Sequence, residues 1–258
     1  MSAACSAVLL LGVLATAKPQ LDAPHEIGGG LPPGFEPSDA AWHPRLQRLF
    51  VVSDGGLIAS MDADGGSVRT WPLAGDLEGI CVADPESDRI YVAIERPSSI
   101  VEFDLKEGRT LRTFPFPIVD GAGKKKNKGL EALTFVPDAG DPEGGAFWAG
   151  VQSDGSVHVL SIPVRSDRAR TTLRELRVFK PVSGASDLAG LDWDPSTESV
   201  FAVFDRENLL VVLDRQGKER ARWSLPGDDQ EGVAVTADRI FIADDGGHRV
   251  VRYERAKP

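Results

Sequence analysis

Cysteine is almost missing from this chain, with Cys5 and Cys81 its two thiols in 258 residues. Cys5 lies in a segment expected to be cleaved, which leaves Cys81 alone inside the apolar run GICVA. A disulfide framework and a cysteine metal site are therefore excluded, and Cys81 reads as a small buried hydrophobe. Positive charge is also scarce: 29 Lys and Arg face 39 Asp and Glu, for a net charge of −10. A surface of that sign repels phosphates, which excludes extended nucleic-acid contact. There is no HExxH, no Gly-rich phosphate loop, no Cys/His zinc spacing and no Ser-His-Asp order. Any catalysis would have to be metal-assisted or built from carboxylates. Aromatic residues are few, and those at strand positions, such as Trp71, Trp193 and Trp223, are expected to pack between sheets.

Long apolar runs are missing too, apart from the first 17 residues, MSAACSAVLLLGVLATA. That run is too short to span a bilayer comfortably. It ends in the small residues Ala15-Thr16-Ala17 and is followed by the polar KPQLDAP, the pattern of an export signal. The reading is a signal peptide over 1–17 and a single domain over 18–258, periplasmic or secreted, free or peripherally attached to a membrane. No transmembrane span is expected in the mature chain.

What the chain does contain is a repeat, clearest in DDQEGVAVTADRIFIADDGGHRVVRYE, residues 228–254. Short runs rich in β-branched and aromatic residues alternate there with turns, the signature of antiparallel strands. The same order opens upstream at Glu36, Asp76, Gly129 and Asp187, and these copies add a fourth run: SVRTWPL, TLRTFPF, ELRVFKP and RARWSLP. Anchors at Ser38, Glu78, Glu131, Ala189 and Glu231 recur at spacings of about 40 to 58 residues, the period of propeller blades. The fold expected is an all-β, five-bladed β-propeller of four-stranded antiparallel blades. A six-bladed ring is the alternative, since the long third copy with DAGDPEGG could conceal further structure. The last copy ends after three strands, so the N-terminal segment is expected to supply its outer strand and close the ring.

Antiparallel pairing sets the start of strand one beside the end of strand two. Those positions are acidic: Glu78, Glu131 and Glu231 open strand one, and Asp54, Glu95, Asp205 and Asp244 close strand two. Strand one lines the channel of a propeller, so these carboxylates converge on one mouth. Two unit charges about 5 Å apart repel by roughly 3 kcal/mol at an effective dielectric of about 20. Either several pKa values rise or a cation sits among them. A hard divalent ion with oxygen ligands suits the set, and Ca²⁺ tolerates an irregular one. The competing role for the same residues is capping of strand ends. His248 and the connection PIVDGAGKKKNKG, residues 117–129, fall at the same mouth. Lys124, Lys125 and Lys126 there are either a solvated loop or a lid that draws an anionic ligand. Two functions follow: a calcium-binding module for a small molecule or envelope protein, or a metal-dependent hydrolase of a phosphoester, lactone or ester. A monomer is expected.

With EPSDAAWHPRLQRLFVVSD, NKGLEALTFVP, DLAGLDWDPSTESVFAVFDRENLLVVLD and DQEGVAV in view, the chain resembles the SdiA-regulated family of bacterial envelope β-propellers from about Gly34 to Tyr253. The resemblance implies export or envelope association, calcium in or near the channel, and roles for Glu78, Asn127, Glu131 and Glu231. Two positions depart from the pattern: Ala189 stands where a carboxylate is expected, and Asp39 replaces the Gly of the usual turn. IADDGGHRVVRYE looks like an NHL-type repeat, and the LEG motifs are similar to those of esterase-like phytase and gluconolactonase propellers.

Overall fold

Twenty short strands form five separate four-stranded sheets in a computed structural model of the protein, which describes residues 21, 24–117, 129–166 and 169–255. The expected signal peptide, Asn127, and Lys124, Lys125 and Lys126 lie outside the described residues. Among those residues no helix is long and apolar enough to cross a membrane.

β1 (His25–Ile27) precedes the first full blade, β2 (Pro37–His43), β3 (Arg48–Ser53), β4 (Leu57–Met61) and β5 (Arg69–Pro72). The second blade is β6 (Leu77–Cys81), β7 (Arg89–Ile94), β8 (Ser99–Asp104) and β9 (Arg109–Pro115). The third is β10 (Leu130–Pro137), β11 (Gly145–Val151), β12 (Ser156–Ser161) and β13 (Arg174–Phe179). The fourth is β14 (Leu188–Asp194), β15 (Ser199–Phe204), β16 (Leu209–Leu213) and β17 (Glu219–Ser224). The fifth has three consecutive strands, β18 (Gln230–Val235), β19 (Arg239–Asp244) and β20 (Arg249–Glu254). Its outer strand is β1, paired antiparallel to β20 with Glu26 opposite Val251. The protein is thus a five-bladed β-propeller closed by its N-terminal strand, and closure removes the free edge that β20 would otherwise present.

The inner and middle strands are buried on both faces, so they are continuous apolar runs such as RIFIAD in β19. The outer strands are the most exposed, and β17, ERARWS, alternates because one face meets solvent. Five core clusters fill the five blade interfaces. Tyr91 of the second blade meets Phe147 of the third edge-on at 4.8 Å, and Trp42 of the first stacks on Phe241 of the fifth at 6.0 Å. Truncating an aromatic such as Phe147, fully buried, costs about 3–5 kcal/mol.

The inner strands share one irregularity that positions the site. Each breaks register with its neighbour at the anchor residue, between Pro37 and Asp39, Leu77 and Gly79, Leu130 and Ala132, Leu188 and Gly190, and Gln230 and Gly232. The anchor is the extra residue of a β-bulge, and a bulge re-aims the side chain it carries. The residue after the anchor lies against the next inner strand. A Cβ on Gly79 would come within 2.8 Å of the Leu133 amide nitrogen, and one on Gly232 within 2.3 Å of Asp39 Cα. Glycine at these two positions is a requirement of close approach.

Candidate metal centre

The bulges aim Ser38, Glu78, Glu131 and Glu231 into one mouth of the channel, where they line a cavity of about 220 Å³ with Asp54, Asp76, Glu95, Arg96, Gln152 and Asp245. Of the residues expected there, Glu78, Glu131, Glu231, Asp54 and Glu95 are brought together. Ala189 is buried at its bulge and leaves the fourth blade without an anchor carboxylate. Asp205 stands beside Glu231 and is held up to about 6 by burial and by Asp187 and Asp229.

Asp244 does not line this cavity. Its Oδ2 accepts from Arg249 Nε at 2.9 Å and its Oδ1 from the Gly247 amide at 2.8 Å. The position equivalent to Asp205 is Asp245. The Asp245 amide donates to Asp229 O at 3.1 Å, as that of Asp205 donates to Asp187 O at 3.1 Å and that of Glu95 to Asp76 O at 3.0 Å. Strand β19 simply runs one residue further than the repeat spacing suggested. His248 closes the following turn with φ 48° and is mostly exposed, its Nδ1 4.0 Å from Asp245 Oδ1. With Glu36 and Asp245 it forms a group whose ligand atoms lie within 4.8 Å of one another.

Sequence reasoning passed over a second acidic position. Glu36, Asp76, Asp187 and Asp229 each lie two residues before an anchor, and only the third copy has Gly129 there. That recurrence was the available signal, because residues i and i+2 of a strand share a face. Asp76 is the consequential member: Asp76, Glu78 and Glu95 offer oxygens within 4.8 Å of one another.

The electrostatics are those of crowded acids under a low-dielectric wall. Burial, then Glu131 and Asp76, push Glu78 up to about 10; burial, then Glu95, push Glu131 to about 7; burial, then Asp205 and Glu131, push Glu231 to about 8. Arg96 offsets part of this charge. Its Nη2 lies 3.2 Å from Asp76 Oδ2 and also bonds Glu95, whose other oxygen accepts from the Gly129 amide at 3.2 Å. Three further buried oxygens at this end of the ring, Asp187 Oδ1, Gln230 Oε1 and Asp245 Oδ1, have no hydrogen-bond partner among the described residues. The all-oxygen donor set of Asp76, Glu78 and Glu95 fits a hard cation of the Ca²⁺ class. These acidic groups can hold a metal ion.

Residues 51–157 match the phytase-like family model, described as esterase-like activity of phytase, and residues 169–257 match the SdiA-regulated model. The chain is similar to both families. Each likeness covers a different part of the ring: the phytase-like segment carries Asp54, Asp76, Glu78, Glu95 and Glu131, and the SdiA-regulated segment carries Asp205, Glu231 and Asp245. No curated protein matches the chain.

Proposed function

We propose that the protein is an exported propeller that binds calcium at its acidic mouth and acts as a binding or scaffold module of the cell envelope. The observation that carries this reading is the set of bulged carboxylates at the mouth, three of them pushed up to about 7, 8 and 10 by burial and by one another's charge. Strand-end capping would leave such carboxylates hydrogen-bonded to backbone amides. Glu95 is bonded in that way, whereas Asp245, which lines the cavity, keeps one buried oxygen without a hydrogen-bond partner among the described residues. Asp76, Glu78, Glu95 and Glu131 would supply the ligands, with Glu231 and Asp245 across the funnel. The natural ligand would be a small molecule or an envelope protein, bound by a monomer. Elemental analysis of protein purified without chelator should find stoichiometric calcium; metal-free protein that takes up no calcium in isothermal titration would sink the reading.

A second reading, a metal-dependent hydrolase of a phosphoester, lactone or ester, is favoured by the phytase-like match over the segment that carries Asp76, Glu78 and Glu131. Bound calcium would supply the Lewis acid that polarises the substrate. Glu231, half-buried across the funnel, would be the carboxyl group that exchanges a proton with a leaving group. A screen against phosphomonoesters, phytate and lactones, with and without Ca²⁺, separates the readings. Calcium-dependent turnover abolished by Glu131→Gln would establish the enzyme.

A further inference from the structure

The opposite mouth of the channel holds a second cavity, of different chemistry. It is larger, about 310 Å³, and the far ends of all five inner strands wall it, with Ala41, Trp42, Cys81, Phe135, Trp193 and Val235 among the lining side chains. That volume is at the small end of ligand cavities, roughly 300–1,000 Å³, and the wall is mostly apolar, as such cavities require. Trp42 and Trp193 line it as well as packing against the core clusters between blades, as expected of the tryptophans.

One carboxylate faces this apolar bowl. Asp192 accepts from the Val235 amide of the next blade at 2.7 Å through Oδ2 and from the Trp193 amide at 2.9 Å through Oδ1. These bonds fix the side chain in place. They leave one lone pair on each oxygen unused, and Asp192 has no ion pair among the described residues. The other titratable groups that act on it are Asp194 on its own strand, Asp39 on the first inner strand and Cys81 on the second, none of them a cation. Two arginines of this end have partners of their own: Arg255 is taken by Asp194 at 2.6 Å, and Arg215, stacked 4.5 Å over Trp193, bonds Glu198 at 3.3 Å. Burial accordingly pushes the Asp192 carboxyl well above the usual carboxylate range.

We propose that this bowl is a binding site for a small organic ammonium ion, with its apolar body against the bowl wall and its charge at the Asp192 carboxyl group. Burial disfavours the charged form of Asp192 while it lacks a counter-ion, and an ammonium ion beside it supplies one, which a neutral molecule of the same shape does not. Trp42, stacked on Phe241, and Trp193, stacked under Arg215, contribute apolar wall to the bowl. An anionic ligand would find no cationic side chain in the lining. The site does not depend on the acidic mouth, which lies at the other end of the channel.

The test compares benzyltrimethylammonium with its uncharged carbon isostere neopentylbenzene, each titrated into the full-length protein while tryptophan fluorescence is followed. Saturable binding is expected for the ammonium, about tenfold or more tighter than for the isostere. Asp192→Asn should erase that difference, and Ala237→Trp, at the exposed rim, should block both probes without disturbing the core. The proposal is overturned by equal affinity for the two probes, by no saturable binding of the ammonium, by a preference that survives Asp192→Asn, or by ammonium binding that survives Ala237→Trp. The last outcome would locate the cation at the acidic mouth. Should Asp192→Asn fail to fold, the isostere comparison and the Ala237→Trp protein still decide.

Discussion

The amide of Val233 donates to Asp39 Oδ1 at 3.2 Å across 194 residues of chain. The other Asp39 oxygen accepts from Ile80 N at 3.0 Å, so one carboxyl group ties the first inner strand to both of its neighbours. The ring therefore closes at its axis as well as at its rim. The carboxyl is fully buried, and burial raises its pKa well above the usual value. The residue that stands in place of glycine at this bulge has become a clasp between blades.

Asp39→Ala leaves two buried amides without an acceptor and opens a small void. A loss of about 2–4 kcal/mol is expected in urea unfolding. Asp39→Asn, which keeps one carbonyl acceptor, should lose less. Equal stability of Asp39→Ala and the unaltered protein would refute the clasp.

The acidic mouth makes calcium-free stability depend on pH with a definite sign. Asp205, Glu131, Glu231 and Glu78 have folded pKa values of about 6, 7, 8 and 10, all above the ordinary 3.8 or 4.5. Over that interval the folded form holds more protons than the unfolded one, so stability is fully present below the ordinary values and falls as pH rises through the folded ones. The melting temperature of chelator-treated protein should decline between about pH 5 and pH 8. A rise over the same interval would contradict the assignment.

Calcium should counter that decline. An ion that binds only the folded ring stabilises it by about 2.7 kcal/mol at a hundred times its dissociation constant. Millimolar Ca²⁺ should raise the melting temperature at pH 8 more than at pH 5, and Mg²⁺, with its stricter octahedral demand, should do less. Glu131→Gln should weaken the calcium effect and leave the fold intact. Glu86→Gln, in an exposed turn at the other mouth, should leave the calcium shift unchanged.

The N-terminal strand is expected to matter out of proportion to its length. Ile27 is buried in the interface between the last and first blades, and Arg249 ties Glu26 of β1 to Asp244 of β19. Removing residues 18–29 should expose the β20 edge and lower the melting temperature by several degrees, with aggregation at the freed edge. An unchanged melt would mean that the ring does not need this strand.

The number of blades, their four-stranded order and the borrowed outer strand were legible in the sequence, because alternation, turn residues and a repeated spacing are local properties of a chain. So was the convergence of Glu78, Glu131 and Glu231, since the repeat sets equivalent residues at one mouth. The missing carboxylate at Ala189 could be read in the same way. What the spacing could not supply was the geometry around those residues. The bulge at every anchor depends on pairing with the second strand. The shift from Asp244 to Asp245 depends on where β19 ends, and the roles of Asp76 and Arg96 depend on which side chains meet across the mouth. Asp39 and Asp192 were beyond reach for a stronger reason. Their partners are backbone amides of other blades, and a backbone amide leaves no mark in a sequence, so only the closed ring decided what these two buried acids hold.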